Sequence, residues 1–222
     1  MAERAPKAAG DRPASAIRGE DTRTALLTTA LEAFASVGYQ AMSVRELTRS
    51  LDVSHNIVHH HFKSKRDLWR MALDYGMADA RREIVQMYEA AAVDVGADPE
   101  EAVRQMVKAA VQLFARYPSL ARIIAHESAQ GGERLDVLFE DYIGPTAKAL
   151  QHFLQSLHKT KNLRKIDPHF VTLFIISGVS SLFTHSSLAA KLGVQDAKSE
   201  AVVNAYADAV AELVAHGLVE PA

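Results

Sequence analysis

Apolar residues recur along most of the chain at intervals of three and four, the spacing that puts a continuous apolar stripe on one side of an α-helix. Val44, Leu47 and Leu51 keep this interval, and Val58 with Phe62 keeps it over a shorter stretch. Leu68, Met71, Ala72, Tyr75, Ala78, Ile84, Met87 and Tyr88 extend it, which predicts one continuous helix from Lys65 to about Ala92. Asp98 and Pro99 read as a cap followed by proline in the first helical position, opening a helix through Val103, Met106, Val107, Ala110, Val111, Phe114 and Tyr117. Pro118 starts the next, which stops at Gly131 and Gly132. A long amphipathic helix is expected from Glu133 to about His158, kinked where Gly144 and Pro145 interrupt it, because proline lacks an N–H and crowds the carbonyl of Asp141. Asp167 and Pro168 open a helix to about Leu192, and Ser199 opens the last, to about His216. No two-residue alternation, hairpin signal or internal repeat appears, so the chain reads as all-α.

The stretch from Ser43 to Asp67 carries the densest set of signals. Ser43 with Glu46 three residues on is a capping box, so a helix starts at Val44. Asp52 stands where the chain turns sharply, a position that favours Gly, Asn or Asp because φ there is often positive. Ser54 caps the following helix, and its apolar side is narrow, only Val58 and Phe62. The opposite side holds His55, Asn56, His59 and His60, a row of donors and acceptors suited to base edges in a major groove. Ser64 and Asp67 repeat the Ser-x-x-acid signature, and Lys65 and Arg66 lie in the first turn of the helix that follows, whose N–H groups attract phosphate. Two short helices joined by a tight turn, with a third behind them, form a helix-turn-helix.

From Thr22 to about Tyr75 the chain resembles the DNA-binding domain of tetracycline-repressor-like (TetR-family) regulators. The likeness rests on a first helix with Leu26, Leu27, Ala30 and Phe34 ending at Gly38, the VRELTRSL helix, Ser54 opening the recognition helix, and the HHF-x-SK ending at Lys65. Thr48, Asp52, Asn56, Ile57 and His59 depart from the family's usual residues. The resemblance implies a homodimer that binds double-stranded operator DNA as a repressor at a palindrome, and a C-terminal helical bundle that senses a small hydrophobic effector. It divides the chain into an N-terminal arm (1–20), a helix-turn-helix domain (21–66) and a ligand-sensing and dimerisation domain (67–222). The expected DNA contacts are Ser43, Ser54, His55, Asn56, His59, His60 and Lys65, with Asn56 at base edges and Ser43, His59 and Lys65 mainly at phosphates. The implied pocket lies between the 133–158 helix, the 99–117 helix and the helix containing Ser177. Phe114, Phe139, Tyr142 and Phe174 are its expected walls, and His126 and Ser177 its polar anchors. Ala201, Ala205 and Ala209, with Ser177, Gly178 and Ser181, are small residues suited to close helix packing across a two-fold axis.

Charge changes this picture modestly. Net charge is −2, yet residues 1–70 carry +3 and the remainder −5, so the positive end is the end with the motif. Residues 1 to about 20 lack periodicity and read as a mobile arm; Arg4, Lys7, Arg12, Arg18 and Arg23 either reach DNA or remain solvated. Cysteine is absent, which excludes thiol redox sensing, disulfides and cysteine-ligated zinc, and suits the cytoplasm. The most apolar run, Phe170 to Phe183, is too short and too interrupted to span a bilayer, and no secretory signal precedes the motif.

The remaining chemistry-bearing residues form weak constellations. His55 and His59 have metal-ligand spacing but no evident third ligand, and DNA contact is the expected use. His126 and Glu127 with Asp136 and Glu140 read as surface or pocket lining. No phosphate loop, nucleophile elbow or zinc-protease motif appears, so neither a cofactor nor catalysis is expected. The competing readings are a ligand-independent DNA-binding or structural protein, and an enzyme with an appended helix-turn-helix.

Overall fold

The computed structural model describes residues 14–94, 98–159 and 164–219. Among these residues all regular structure is helical. Helix α1 (Ala14–Ala41) is interrupted at Gly38, whose φ of 77° would strain any other residue. The expected end of the first helix falls at this glycine. α1 begins inside the span read as an arm; Arg4, Lys7, Arg12 and the side chain of Arg18 lie outside the described residues.

The helix-turn-helix follows as α2 (Val44–Ser50) and α3 (His55–His61). Between them the Asp52 N–H donates to the Arg49 carbonyl at 3.2 Å and the Val53 N–H to the Thr48 carbonyl at 3.0 Å. This pair of bonds is a Schellman ending, and Asp52 occupies its left-handed position with φ 52°. Val58 and Phe62 then bury with Leu26, Leu27, Leu47 and Leu68. Helix α4 (Lys65–Asp94) starts where Ser64 Oγ accepts from the Asp67 N–H, while the Asp67 carboxylate accepts from the Lys63 N–H, both at 3.0 Å. It runs without interruption through the proposed boundary between residues 66 and 67.

Helix α5 (Pro99–Arg116) is capped by Asp98, which accepts from the N–H groups of Glu100 and Glu101 at 3.1 Å. α6 (Pro118–Gln130) stops at Gly131, φ 69°. α7 (Glu133–Leu138) passes through a π-helical turn at Phe139–Ile143 into α8 (Gly144–Lys159). The Gly144 N–H reaches back to the Phe139 carbonyl, so the interruption expected at Pro145 takes the form of a widened turn just before it.

The predicted helix from Pro168 to Leu192 is instead broken into α9 (Pro168–Phe174), a π turn at Ile175–Val179, α10 (Ser181–Thr184) and α11 (Ser186–Lys191). Side chains compete with the helical ladder there. Ser180 Oγ donates back to the Ile176 carbonyl at 2.7 Å, and the Tyr206 hydroxyl takes the Gly178 carbonyl at 3.0 Å. α12 (Glu200–Leu218) packs along α5, burying Val203, Ala207, Ala211 and Val214. Its outer edge adds a ladder of Arg104 to Glu212, Lys108 to Asp208 and Gln112 to Asn204, at 2.7 to 2.8 Å.

Since glycine adopts the Asp52 conformation without a Cβ clash, Asp52→Gly is expected to stabilise the protein by about 1 kcal/mol, offset in part by the greater freedom of glycine in the unfolded chain. Thermal unfolding of the variant against the parent measures it; a lower midpoint would show that the aspartate side chain contributes more than the turn strain costs.

Candidate nucleic-acid interface and interior cavity

The serines expected at the interface serve first as caps. Ser43 Oγ accepts from the Glu46 N–H and Ser54 Oγ from the Asn56 N–H, both at 3.3 Å. Among the described residues only the hydroxyl half of the Ser43 capping box forms, since no bond joins the Glu46 carboxylate to the Ser43 N–H. Asn56, His59 and His60 are exposed on α3, away from buried Val58 and Phe62. The side chain of His55 lies outside the described residues. His61 is half-buried, its ring 5.2 Å from that of His60 and 6.0 Å from that of Phe62. Burial holds its pKa below the ordinary histidine value, with the charges of His60 and Arg23 acting the same way.

Lys65 does not project outward as a phosphate contact would. Its ammonium sits 4.7 Å from the centre of the Tyr39 ring and donates to the Gln40 carbonyl at 3.3 Å, and burial together with Arg134 lowers its pKa. The cations left on this side are Arg45 and Arg49, exposed one turn apart on α2, and exposed Lys63; among the described residues none of the three forms an ion pair. Sequence reasoning passed over them, although two arginines at i and i+4 beside a capping serine were a legible signal. Among the described residues no group of three or more His, Asp or Glu side chains gathers as a metal site.

Inside the bundle, α4, α5, α6, α8 and the π turn after α9 enclose a cavity of about 70 Å³. Phe114 and Tyr142 are among its lining residues. Phe139, Phe174 and Ser177 do not; each is exposed on the outer side of its helix, and the lining positions are the neighbouring Ile143, Thr172, Ile175 and Ile176. Phe139 opens the first π turn, Phe174 immediately precedes the second and Ser177 lies within it, so regular α-helical spacing does not place these side chains. His126 is absent from the lining too, because its ring packs against Gly38, where an added Cβ would stand 3.3 Å from Nδ1. The Tyr142 hydroxyl donates to Asp74, and burial followed by that bond pushes its pKa far above the ordinary phenol value.

This wall is tied to α4 along one line. Arg66 pairs with Glu133 at 2.8 Å, Arg70 with Asp141 at 3.0 Å, and Asp74 accepts from Tyr142. Residues 66, 70 and 74 are spaced i, i+4, i+8 on α4, and their partners lie on α7 and the π turn. The same helix that begins beside α3 lines the cavity further along, through Met77, Ala80, Arg81, Ile84 and Met87.

A helical head with an exposed recognition helix, joined by a through-going helix to a hollow bundle, defines the class of one-chain DNA-binding regulators. The family described as bacterial regulatory proteins, tetR family, matches residues 26–70, and the tetracyclin repressor-like C-terminal domain matches residues 99–214. The chain belongs to the tetR family of bacterial regulatory proteins. Solved structures with this fold include the ketosteroid transcriptional regulator KstR2 of Mycobacterium tuberculosis, 18% identical with a TM-score of 0.68, the match covering 90% of this chain and 96% of that one. The TetR-family regulator PfmR from Thermus thermophilus is 20% identical with a TM-score of 0.61, over 85% and 96%. A putative transcriptional regulator from Saccharomonospora viridis, solved in complex with choline, is 17% identical with a TM-score of 0.55, over 91% and 100%. Comparison with curated proteins yields no match. Among the described residues no helix is long and apolar enough to cross a membrane.

If Asn56 reads base edges and Arg49 holds phosphate, the two substitutions separate cleanly. Asn56→Ala is expected to cost about 1–3 kcal/mol on the preferred sequence and relax the preference, whereas Arg49→Ala weakens all sequences alike and lowers the salt slope by about one. Binding to selected and scrambled duplexes at several salt concentrations distinguishes them, and the opposite pattern would exchange the roles.

Proposed function

We propose that this regulator is a repressor that binds a palindromic operator as a homodimer in the cytoplasm and releases it when a small, largely apolar effector enters the interior cavity. It carries no catalytic role in this reading. The observation that carries it is α4, which starts beside the recognition helix, is tied to α7 and the π turn by Arg66, Arg70 and Asp74, and forms a wall of the cavity. A cavity of about 70 Å³ is smaller than the roughly 300–1,000 Å³ of ordinary ligand sites. An effector must therefore push the walls apart, and a displaced Tyr142 pulls on Asp74. Two heads that must match half-sites about one DNA turn apart are sensitive to a small rotation of α4. The expected contacts remain Ser43, Ser54, Asn56, His59 and His60, joined here by Arg45, Arg49 and Lys63.

Dimerisation is supported by an unpartnered apolar face. Phe170, Leu173 and Phe174 of α9 and Ala205, Ala209 and Leu213 of α12 are exposed, Leu213 to 74%. Phe174 lies flat over Gly178, where an added Cβ would come within 2.8 Å of its ring. Two such helix pairs related by a two-fold axis make a four-helix bundle.

The test of effector coupling is operator binding with and without fractions of a small-molecule cell extract, in the parent and in Tyr142→Phe. The parent is expected to lose affinity in at least one fraction by about 5–150-fold, and Tyr142→Phe to keep operator binding while that response shrinks. If no fraction changes the parent's affinity, the chain is a ligand-independent DNA-binding protein and the cavity a packing void. For the dimer, Leu213→Arg is expected to give monomers in sedimentation and to lose operator binding; an intact dimer would move the interface off α12.

A further inference from the structure

The cavity lining is almost entirely apolar, and its uncharged polar groups are already engaged. Thr146 Oγ1 donates to the Tyr142 carbonyl at 3.2 Å, Thr172 Oγ1 to the Pro168 carbonyl at 2.8 Å, and the Tyr142 hydroxyl to Asp74. None of these has a hydrogen left to offer a ligand. The lining includes one cationic group, Arg81, exposed at the rim with its guanidinium 5.6 Å from the centre of the Tyr142 ring.

Arg81 differs from the other arginines of α4. Arg66 pairs with Glu133, Arg70 with Asp141 and Arg82 with Asp79, whereas Arg81 forms no ion pair among the described residues. The acids beside Tyr142 are committed elsewhere: Asp74 to the Tyr142 hydroxyl and Asp141 to Arg70. A guanidinium resting on a ring keeps its in-plane N–H donors for a partner, and the geometry of that fork matches a carboxylate.

We propose that the effector is an organic anion, with an apolar body that fills the cavity and a carboxylate-like head that pairs with Arg81 at its rim. This rests on the reading of the cavity as the effector site and adds the charge and polarity of what enters. A space of about 70 Å³ is roughly half that of an engineered cavity that holds benzene. Even a single ring exceeds that space, so short chains and single rings are the occupants that displace the walls least, and Met77 and Met87, flexible wall residues, are the side chains that can repack to admit them. A cation is disfavoured, because it would bring a second positive charge against Arg81. Choline, found in the Saccharomonospora viridis neighbour, is therefore a useful counter-probe.

The experiment is calorimetry on the full chain with hexanoate, decanoate and phenylpropionate, the matched alcohols, and choline, using the parent, Arg81→Gln and the cavity-filling Ile176→Trp. Carboxylates are expected to bind at least about tenfold more tightly than their alcohols, choline not to bind, and Arg81→Gln to bring carboxylate affinity down to that of the alcohol. Ile176→Trp is expected to abolish binding, with unfolding midpoints confirming that both variants fold. Equal binding of acids and alcohols that Ile176→Trp removes would overturn the anion proposal and leave the cavity as the effector site. Binding that survives Ile176→Trp would overturn both. Failure of every carboxylate, while an extract fraction still releases operator DNA, would overturn the proposal alone.

Discussion

The close approach of α1 and α4 is the constraint on which the remainder depends. Gly76 lies in the middle of α4 facing Leu31, and a Cβ there would stand 2.2 Å from Leu31 Cδ2. Glycine in a helix interior costs roughly 1 kcal/mol relative to alanine. Here it lets the two helices meet closely enough to bury Leu26, Leu27, Ala30 and Phe34 together with Leu68, Trp69, Ala72 and Leu73. Without that contact the helix-turn-helix would have no floor, because α2 and α3 are short and each has only a narrow apolar stripe to bury.

α4 thereby becomes a shared element rather than a linker. At its first turn an aromatic group of Phe34, Tyr39 and Trp69 is covered by the cations of Lys65 and Arg134, the latter 4.3 Å from the centre of the Tyr39 ring. Arg134 also reaches Glu127, which is buried, at 2.8 Å. The head is thus held against α6 and α7 by charge over rings, and by His126 against Gly38, as well as by the α4 backbone. Exposed ion pairs such as Arg66 with Glu133 contribute little stability one at a time. Spaced one turn apart on α4, Arg66 and Arg70 nonetheless join that helix to α7 and to the π turn.

The two π turns share a position and a consequence. Phe139–Ile143 and Ile175–Val179 both border the cavity: the first contributes Tyr142 and Ile143 to its lining and leaves Phe139 exposed, and the second contributes Ile175 and Ile176 and leaves Ser177 exposed. A π turn carries poorer packing along the helix axis than an α turn and commonly marks a functional position. Here the pair sets which side chains form the void and which form the apolar outer face of α9.

The helix-turn-helix was legible in the sequence because its determinants are local. Capping serines, Asp52 at a left-handed turn, and apolar pairs at i and i+4 each act within a few residues, and all recur in the structure. The helical class and most helix boundaries were readable for the same reason. The cavity lining was not: Phe114 lies on a regular helix, whereas Phe139 opens one π turn, Phe174 immediately precedes the other and Ser177 lies within it, so regular helical spacing does not say which way these side chains face. Nor could spacing reveal that Lys65 turns back over Tyr39, that His126 fills the space above Gly38, or that Arg81 alone among the α4 arginines lacks an ion-pair partner among the described residues. Local chemistry decides which segments are helices and where they start. Which side of a helix meets a neighbour, and which charge finds a partner, depends on residues far apart in the chain and is decided only when the helices pack.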